Sequence, residues 1–121
     1  MTARRIIAYK DNFVNFYRSQ DNKIQEKIEF VLDLIRFEQQ IPRKFFKNLH
    51  DTDGIYEIRV ITTFKGIRIL WFFDKEDLVV LINCFLKKTQ KTPKREIKLA
   101  ERLKREYLTD KYKGKRNEKH N

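Results

Sequence analysis

Two arginines lie inside the strands of a predicted β-hairpin, at positions where apolar residues are usual. Arg59 falls in the run 55–62 and Arg68 in the run 66–73, and both runs are rich in β-branched and aromatic residues. Because side chains alternate along a strand, a connection with an even number of residues places both arginines on one face of the sheet. An odd connection would separate them. For either arginine alone, the alternative is a solvent-facing charge or an ion pair with Glu57 on the same face. We expect the even connection, with both guanidiniums facing away from the helices predicted near the N-terminus.

Three lysines, Lys87, Lys88 and Lys91, follow the apolar segment 78–85, whose composition is typical of a strand covered on both faces. Residues 87–121 hold 14 basic and five acidic side chains and therefore carry +9 of the net charge of +11. This asymmetry predicts an anion-binding surface at the end of the segment and on the helix that follows it. Nucleic acid, an anionic membrane and an acidic protein are the partner classes that such a surface suits. The alternative is a solvated helix face that only keeps the protein in solution.

Length and composition exclude several classes of protein. A chain of 121 residues supports one domain, and 40% apolar with 13% aromatic residues is too much for a disordered polycation. The single cysteine, Cys84, excludes an internal disulfide, suits a reducing compartment and is most simply a small buried hydrophobe. The longest apolar runs have five residues, far below the ~20 of a membrane-spanning helix, and no signal peptide is evident. We therefore expect a cytoplasmic protein with no membrane partner.

Metal and cofactor sites are not indicated. His50 and His120 stand far apart in the chain, and together with one cysteine they form no metal-ligand spacing. The three glycines form no phosphate-binding loop. No cofactor is expected.

The pattern predicts the order strand, two helices, three strands and one helix, beginning with a strand at residues 4–9. Asp11 and Asp21 are expected to cap the first two helices, Pro42 to end the second, and Thr92 with Pro93 to begin the last. Residues 43–54 are polar or basic and are expected to form a connection. The helices carry the apolar stripes Phe13, Phe16 and Tyr17, then Ile24, Ile28, Val31, Leu32 and Ile35, and finally Ile97, Ala100, Leu103 and Tyr107.

This order indicates an α+β fold with a small, mostly antiparallel sheet. We expect the helices on one side of the sheet, so that the other side is left for a ligand. Residues 1–108 are expected to form the domain and residues 109–121 a flexible basic tail, because the composition turns polar after Leu108.

Three segments in this order resemble the RelE/ParE superfamily of toxins from type II toxin–antitoxin systems, in particular its HigB-type, phage-derived branch. They are GIYEIR at 54–59, IRILWFF at 67–73 and KKTQKTP at 87–93. The resemblance extends over residues 4–108 in element order. It implies two N-terminal helices packed on a twisted, mostly antiparallel sheet with a C-terminal helix.

The resemblance also implies a function. RelE-like members cleave mRNA inside the translating ribosome, without a metal, whereas ParE-like members poison DNA gyrase. The implied partners are a cognate antitoxin, either a helix-turn-helix protein or an acidic one, the 70S ribosome and mRNA. We favour the ribosome-dependent endoribonuclease, with a ParE-like gyrase inhibitor and a non-catalytic nucleic-acid-binding protein as alternatives.

Single positions carry the expected catalytic roles. Arg68 matches the sheet arginine that contacts the scissile phosphate in the family, and Arg59 matches a basic position on the preceding strand. Lys88 matches a basic residue just after the last core strand, and Lys87 or Lys88 is expected to transfer the proton. His50 stands where some HigB-type toxins have a histidine. Lys91, Lys94, Arg95 and Phe85 are expected to bind RNA.

These residue types suit metal-free RNA cleavage. The ribose 2′-hydroxyl attacks the adjacent phosphorus, and guanidinium groups stabilise the charge that accumulates on the phosphate oxygens. A lysine transfers a proton if neighbouring cations depress its pKa. The stretch 91–97 contains neither the tyrosine nor the histidine that several RelE-like toxins use. That departure keeps the gyrase hypothesis open.

Overall fold

A computed structural model describes residues 3–63, 66–75, 77–88 and 91–120, with side chains as far as Lys113. The α+β class and the predicted element order are confirmed, with one additional strand. Within the described part of the chain, no helix is long and apolar enough to cross a membrane. The elements are β1 (Arg5–Ala8), α1 (Asn12–Arg18), α2 (Asn22–Phe37), β2 (Phe46–Asn48), β3 (Tyr56–Ile61), β4 (Gly66–Lys75), β5 (Leu78–Leu86) and α3 (Lys94–His120).

The five strands form one sheet in the order β1-β5-β4-β3-β2. β1 pairs in parallel with β5, and the other three pairs are antiparallel, so the sheet is mostly antiparallel as predicted. Ile61 pairs with Gly66, which leaves a connection of four residues, 62–65, of which residues 64–65 lie outside the described part of the chain. The connection is therefore even. β5 lies between β1 and β4, as expected for a strand covered on both faces.

Helices α1 and α2 cover the first face of the sheet. The Asp21 carboxylate accepts a hydrogen bond of 2.9 Å from the backbone N–H of Ile24 and so caps α2 as predicted, whereas Asp11 makes no such bond at the start of α1. Burying one aliphatic side chain of this layer contributes about 1.5–3 kcal/mol to the stability of the fold. The buried residues of the layer are Phe13, Ile28, Val31, Leu32 and Ile35 on the helices and Ile58, Val60, Ile67, Ile69, Trp71, Val79 and Leu81 on the strands.

Helix α3 covers part of the second face, so the expectation that all helices lie on one side is wrong. Alternate residues of β4 and β5 are apolar on this face too. If they stayed exposed, the fold would lose the favourable free energy that their burial provides. The stripe of α3 supplies the cover. This second core contains Leu49, Ile55, Leu70, Phe72, Val80, Ile82, Ala100 and Leu103, with Ile97, Phe85 and Tyr107 packed against it.

Polar contacts hold the C-terminal half of α3 on the sheet. The Tyr107 hydroxyl donates to Asp74 Oδ2 at 2.7 Å, and Lys111 Nζ donates to both oxygens of that carboxylate at 2.8 and 2.7 Å. The Tyr9 hydroxyl donates to Asp110 at 2.5 Å. The polar composition after Leu108 therefore does not end the helix, which continues to His120. A domain boundary at residue 108 remains a prediction.

Candidate functional site

The two hairpin arginines lie directly opposite each other. Arg59 of β3 and Arg68 of β4 are register partners, so both side chains project from the second face of the sheet. They lie away from α1 and α2, as the sequence predicted. Phe85 of β5 is the next register partner of Arg68 and lies on the same face. Like charges directly opposite in a ladder are destabilising, so this pair requires a counter-ion.

Glu57 of β3 is that counter-ion. Its side chain is fully buried, at 0% exposure, and its Oε1 lies 3.4 Å from Arg59 Nε and 3.3 Å from Arg68 Nε. Its second oxygen, Oε2, accepts a hydrogen bond from the Thr92 hydroxyl. Burial lowers the pKa of the Arg68 guanidinium, and the Glu57 charge opposes that shift. Pairing with Glu57 and convergence of the two arginines are therefore both observed.

Lys87 joins this group from the end of β5. Its backbone N–H donates to the Gly66 carbonyl at 2.7 Å, which holds it beside the start of β4. Burial lowers the pKa of the Lys87 ammonium below its ordinary value of 10.5, and the charges of Arg68 and Arg59 lower it further. The Glu57 carboxylate acts in the opposite direction. We call Arg59, Arg68, Lys87 and Glu57 the arginine cluster. Its three cations and one carboxylate leave a net charge of about +2.

Sequence reasoning missed a fourth cation, Lys47, because it missed strand β2. Lys47 is the register partner of Glu57, so its side chain lies on the same face as the arginine cluster, and its charge also lowers the pKa of Lys87. Residues 43–54 had been expected to form only a connection. The adjacent aromatic residues Phe45 and Phe46 before Lys47 are the pattern that indicates a short edge strand here.

The remaining predicted cations follow Lys87 along the chain. Each has an exposed side chain, so a long polyanion can reach all of them. Lys87, in contrast, is the lysine whose pKa the charges of the two arginines lower. Lys88, the lysine that the family resemblance matched, is therefore one residue away from Lys87, the lysine that the geometry favours. The four exposed cations are Lys88 and Lys91 in the connection after β5 and Lys94 and Arg95 in the first turn of α3.

His50 is not brought to the cluster. It is exposed in the loop between β2 and β3, and this loop is held further along α3. The Asp53 backbone N–H donates to Glu101 Oε2 at 3.1 Å, and Lys104 Nζ donates to the Asp53 carbonyl at 2.6 Å. These contacts lie roughly 10–15 Å beyond the start of α3. The backbone of His120 ends α3, and its side chain lies outside the described part of the structure.

Metal and thiol chemistry find no support in the geometry. Among the described residues, no group of three or more His, Cys, Asp or Glu side chains is close enough to hold a metal ion. Cys84 is partly buried against the first core, as predicted for a small hydrophobe, and burial raises the pKa of its thiol. The arginine cluster is positively charged, and this charge suits an anion with several oxygens, such as a phosphodiester.

Comparisons with known proteins identify the family. The model of the family described as "Phage derived protein Gp49-like (DUF891)" matches residues 15–105. The chain belongs to this family. Gp49-like proteins are a family of RelE/HigB-type toxins, so the predicted RelE/ParE resemblance is confirmed. No curated protein matches the sequence significantly.

A solved structure shows the same fold. The chain is similar to the crystal structure of the archaeal RelE–RelB complex from Pyrococcus horikoshii OT3, with a TM-score of 0.52 and 14% sequence identity. The match covers 72% of this chain and 98% of that chain. At this identity the likeness shows the RelE-like fold of the Gp49-like chain and does not extend to its chemistry.

Proposed function

We propose that this Gp49-like protein is the toxin of a type II toxin–antitoxin pair and cleaves mRNA on the ribosome without a metal ion. One observation carries the proposal: Arg59 and Arg68 lie directly opposite each other, with Lys87 beside them. Once Lys87 has accepted the 2′-hydroxyl proton, the cluster's net charge of about +2 matches the roughly two negative charges of a phosphorane transition state. Family membership supports the toxin class, and the chemistry is inferred from the cluster.

In the proposed reaction the 2′-hydroxyl of the ribose gives its proton to a base and attacks the adjacent phosphorus. A bond forms from O2′ to phosphorus, and the bond from phosphorus to the 5′-oxygen breaks. The leaving 5′-oxygen takes a proton from water, and the hydroxide that this forms takes the proton from the base, which restores the base. The products are a 2′,3′-cyclic phosphate and a 5′-hydroxyl. Arg59 and Arg68 hold the non-bridging phosphate oxygens, whose charge grows in the transition state.

Lys87 is the proposed base. An amine accepts a proton only in its neutral form, and its lowered pKa increases the neutral fraction at physiological pH. The pKa shift is made by burial and by the same guanidiniums that bind the phosphate, so binding and proton transfer share one set of charges. We propose that Phe85, which is opposite Arg68 and partly exposed, stacks on a base of the bound RNA.

The proposal includes three partners. The ribosome presents mRNA in the geometry for in-line attack, which an isolated RNA seldom adopts. The exposed cations Lys88, Lys91, Lys94 and Arg95 contact RNA phosphates. A cognate antitoxin, acidic or of the helix-turn-helix type, neutralises the toxin. A ribosomal target places the protein in the cytoplasm.

The test is a purified translation system programmed with one mRNA, in which new 5′ ends are mapped after addition of the protein. We expect cuts on translated mRNA with 2′,3′-cyclic phosphate ends, no requirement for a divalent metal beyond that of the ribosome, and cleavage that is about 10²–10³-fold slower with Arg68→Ala. Lys27→Ala, which removes an exposed charge from α2, is the matched control and should cleave like the wild type.

Two outcomes would contradict the nuclease. Binding to 70S ribosomes with intact mRNA would leave a non-catalytic RNA-binding protein. Gyrase-dependent DNA breaks with intact mRNA would favour the ParE-like alternative, which the absence of tyrosine and histidine from residues 91–97 keeps open.

A further inference from the structure

We infer that Glu57 and Thr92 are positioning residues that hold the two guanidiniums and the segment after β5 in one fixed arrangement. Neither residue has a place in the bond-making steps above. For its effect on cleavage the inference rests on the proposed function, whereas its structural content is independent of that function.

The first support is where Glu57 contacts the arginines. Both contacts go to Nε and come from the same carboxylate oxygen. Arg59 Nε donates a hydrogen bond of 3.4 Å to this oxygen, whereas Arg68 Nε lies 3.3 Å from it as an ion pair without hydrogen-bond geometry. Contact at Nε fixes the side chain close to its stem and leaves terminal nitrogens for an anion. Arg68 is restrained further, because its Nη1 donates to the Ile67 carbonyl at 3.1 Å. An arginine held in this way loses little further freedom when it binds a phosphate.

The second support is electrostatic. Two register partners with like charge repel each other, and burial lowers the pKa of Arg68. The buried Glu57 charge compensates both arginines from beneath. Without it, the two guanidiniums are expected to move apart toward solvent, and the spacing that matches one phosphate is lost.

The third support is the contact with Thr92, 35 positions along the chain. We expected Thr92 to cap α3, but its hydroxyl donates to Glu57 Oε2 instead. This bond ties the connection that begins with Lys87 to strand β3. The first turn of α3 is also held to β5, because Asn83 Nδ2 donates to the Glu96 carbonyl at 3.1 Å and to Glu96 Oε1 at 3.0 Å. Glu57 therefore links the arginines to the segment that carries the lysine.

Glu57→Gln is the direct test, because it keeps the shape of the side chain and removes its charge. We expect the rate of cleavage at saturating ribosomes to fall by about 10²-fold, with little change in the concentration for half-maximal rate. The pKa of Lys87, followed by NMR, should fall further, because the Glu57 charge raises it. The Nε–H resonances of Arg59 and Arg68 should lose their dispersion. Glu57→Asp, which retains the charge, should restore the Lys87 pKa toward the wild-type value.

Asp74→Asn is the matched control. Asp74 is also a buried carboxylate, with a side chain 5% exposed, but it pairs with Lys111, about 25 Å along α3 from the start of the helix. It should lower the stability of the fold and leave the Lys87 pKa and the Nε–H resonances of the cluster unchanged.

Thr92→Val keeps the inference testable if Glu57→Gln does not fold, because it removes one hydroxyl and keeps the Glu57 charge. It should lower the cleavage rate and leave the concentration for half-maximal rate unchanged. Wild-type rates and resonances in both Thr92→Val and Glu57→Gln, or in Thr92→Val alone if Glu57→Gln does not fold, would overturn the inference. An inactive wild-type protein would refute the proposed function instead, and the resonances and the Lys87 pKa would still decide whether Glu57 positions the cluster.

Discussion

Replacing Arg68 by alanine should have two separable effects. Removing one guanidinium from a phosphate site costs about 10²–10³ in rate, or about 2.7–4 kcal/mol of activation free energy. The same change removes one partner of a fully buried carboxylate, because the Arg68 side chain is only 13% exposed and its Nε lies 3.3 Å from Glu57. Leaving a buried group short of a partner costs about 1–3 kcal/mol of the free energy of unfolding. The Arg68→Ala protein should therefore be both slower and less stable.

A double variant separates these effects. Adding Glu57→Gln to Arg68→Ala removes the buried charge together with its partner, and removing both members of a buried pair is far less costly than removing one. The double variant should thus recover part of the lost stability in a denaturant titration. It should recover none of the cleavage, because the group that stabilises the phosphate is still missing.

The two measurements are denaturant unfolding and the single-turnover cleavage rate on programmed ribosomes. Arg59→Ala provides the comparison, since its side chain is 30% exposed and its loss should cost less stability. If the double variant regained cleavage to within tenfold of the wild type, Arg68 would be merely the counter-ion of Glu57. The assignment of Arg68 to the phosphate would then be wrong.

Three further predictions concern other charges. If Lys87 is the base, cleavage should rise with pH as its ammonium loses the proton, and Lys87→Arg, which stays charged, should abolish that rise in a pH–rate profile while retaining RNA binding. Burial alone would raise the pKa of Asp74, but the hydrogen bonds from Lys111 and Tyr107 outweigh it and leave the pKa below its ordinary 3.8. The stability that Asp74 contributes is therefore present above pH 3.8 and is lost as the pH falls through the lower pKa of the folded protein. Asp74→Asn should lower the free energy of unfolding by about 1–3 kcal/mol at neutral pH. It should also flatten the acid side of the curve of stability against pH, measured by chemical denaturation. Finally, an acidic antitoxin that covers the arginine cluster should associate more slowly at high salt in stopped-flow measurements. The association rate of an antitoxin that inhibits by its bulk, through an apolar interface, should change little with salt. A complex that still cleaves mRNA would contradict both modes of inhibition.

Local pattern predicted the hairpin and its consequence. The alternation along β3 and β4 and the four-residue connection 62–65 place Arg59 opposite Arg68, because the register of a hairpin is determined by its turn and by which face is apolar. The stripe of α2 and its Asp21 cap were predictable in the same way, since both depend on residues three or four positions apart.

The features that sequence reasoning missed depend on distant parts of the chain. β2 has only three residues, and its pairing with β3 is what makes it a strand. The sequence pattern predicts Thr92 as a helix cap, but only the packing of α3 on the second face brings its hydroxyl to Glu57. The side of the sheet on which α3 lies is likewise determined by tertiary packing, because β4 and β5 are apolar on both faces.

The arginine cluster lies where α3 begins, and this position resolves a conflict between stability and charge. Under the middle of α3, the second face is filled by Leu70, Phe72 and Ile82, and cations there would lose their hydration with no compensation. Beyond the start of the helix the face is partly open, so the guanidiniums retain solvent on one side. Glu57, buried beneath them, compensates the repulsion that remains. The fold thus holds together like charges that a bound phosphate would neutralise, and such a local conflict with stability is typical of functional sites.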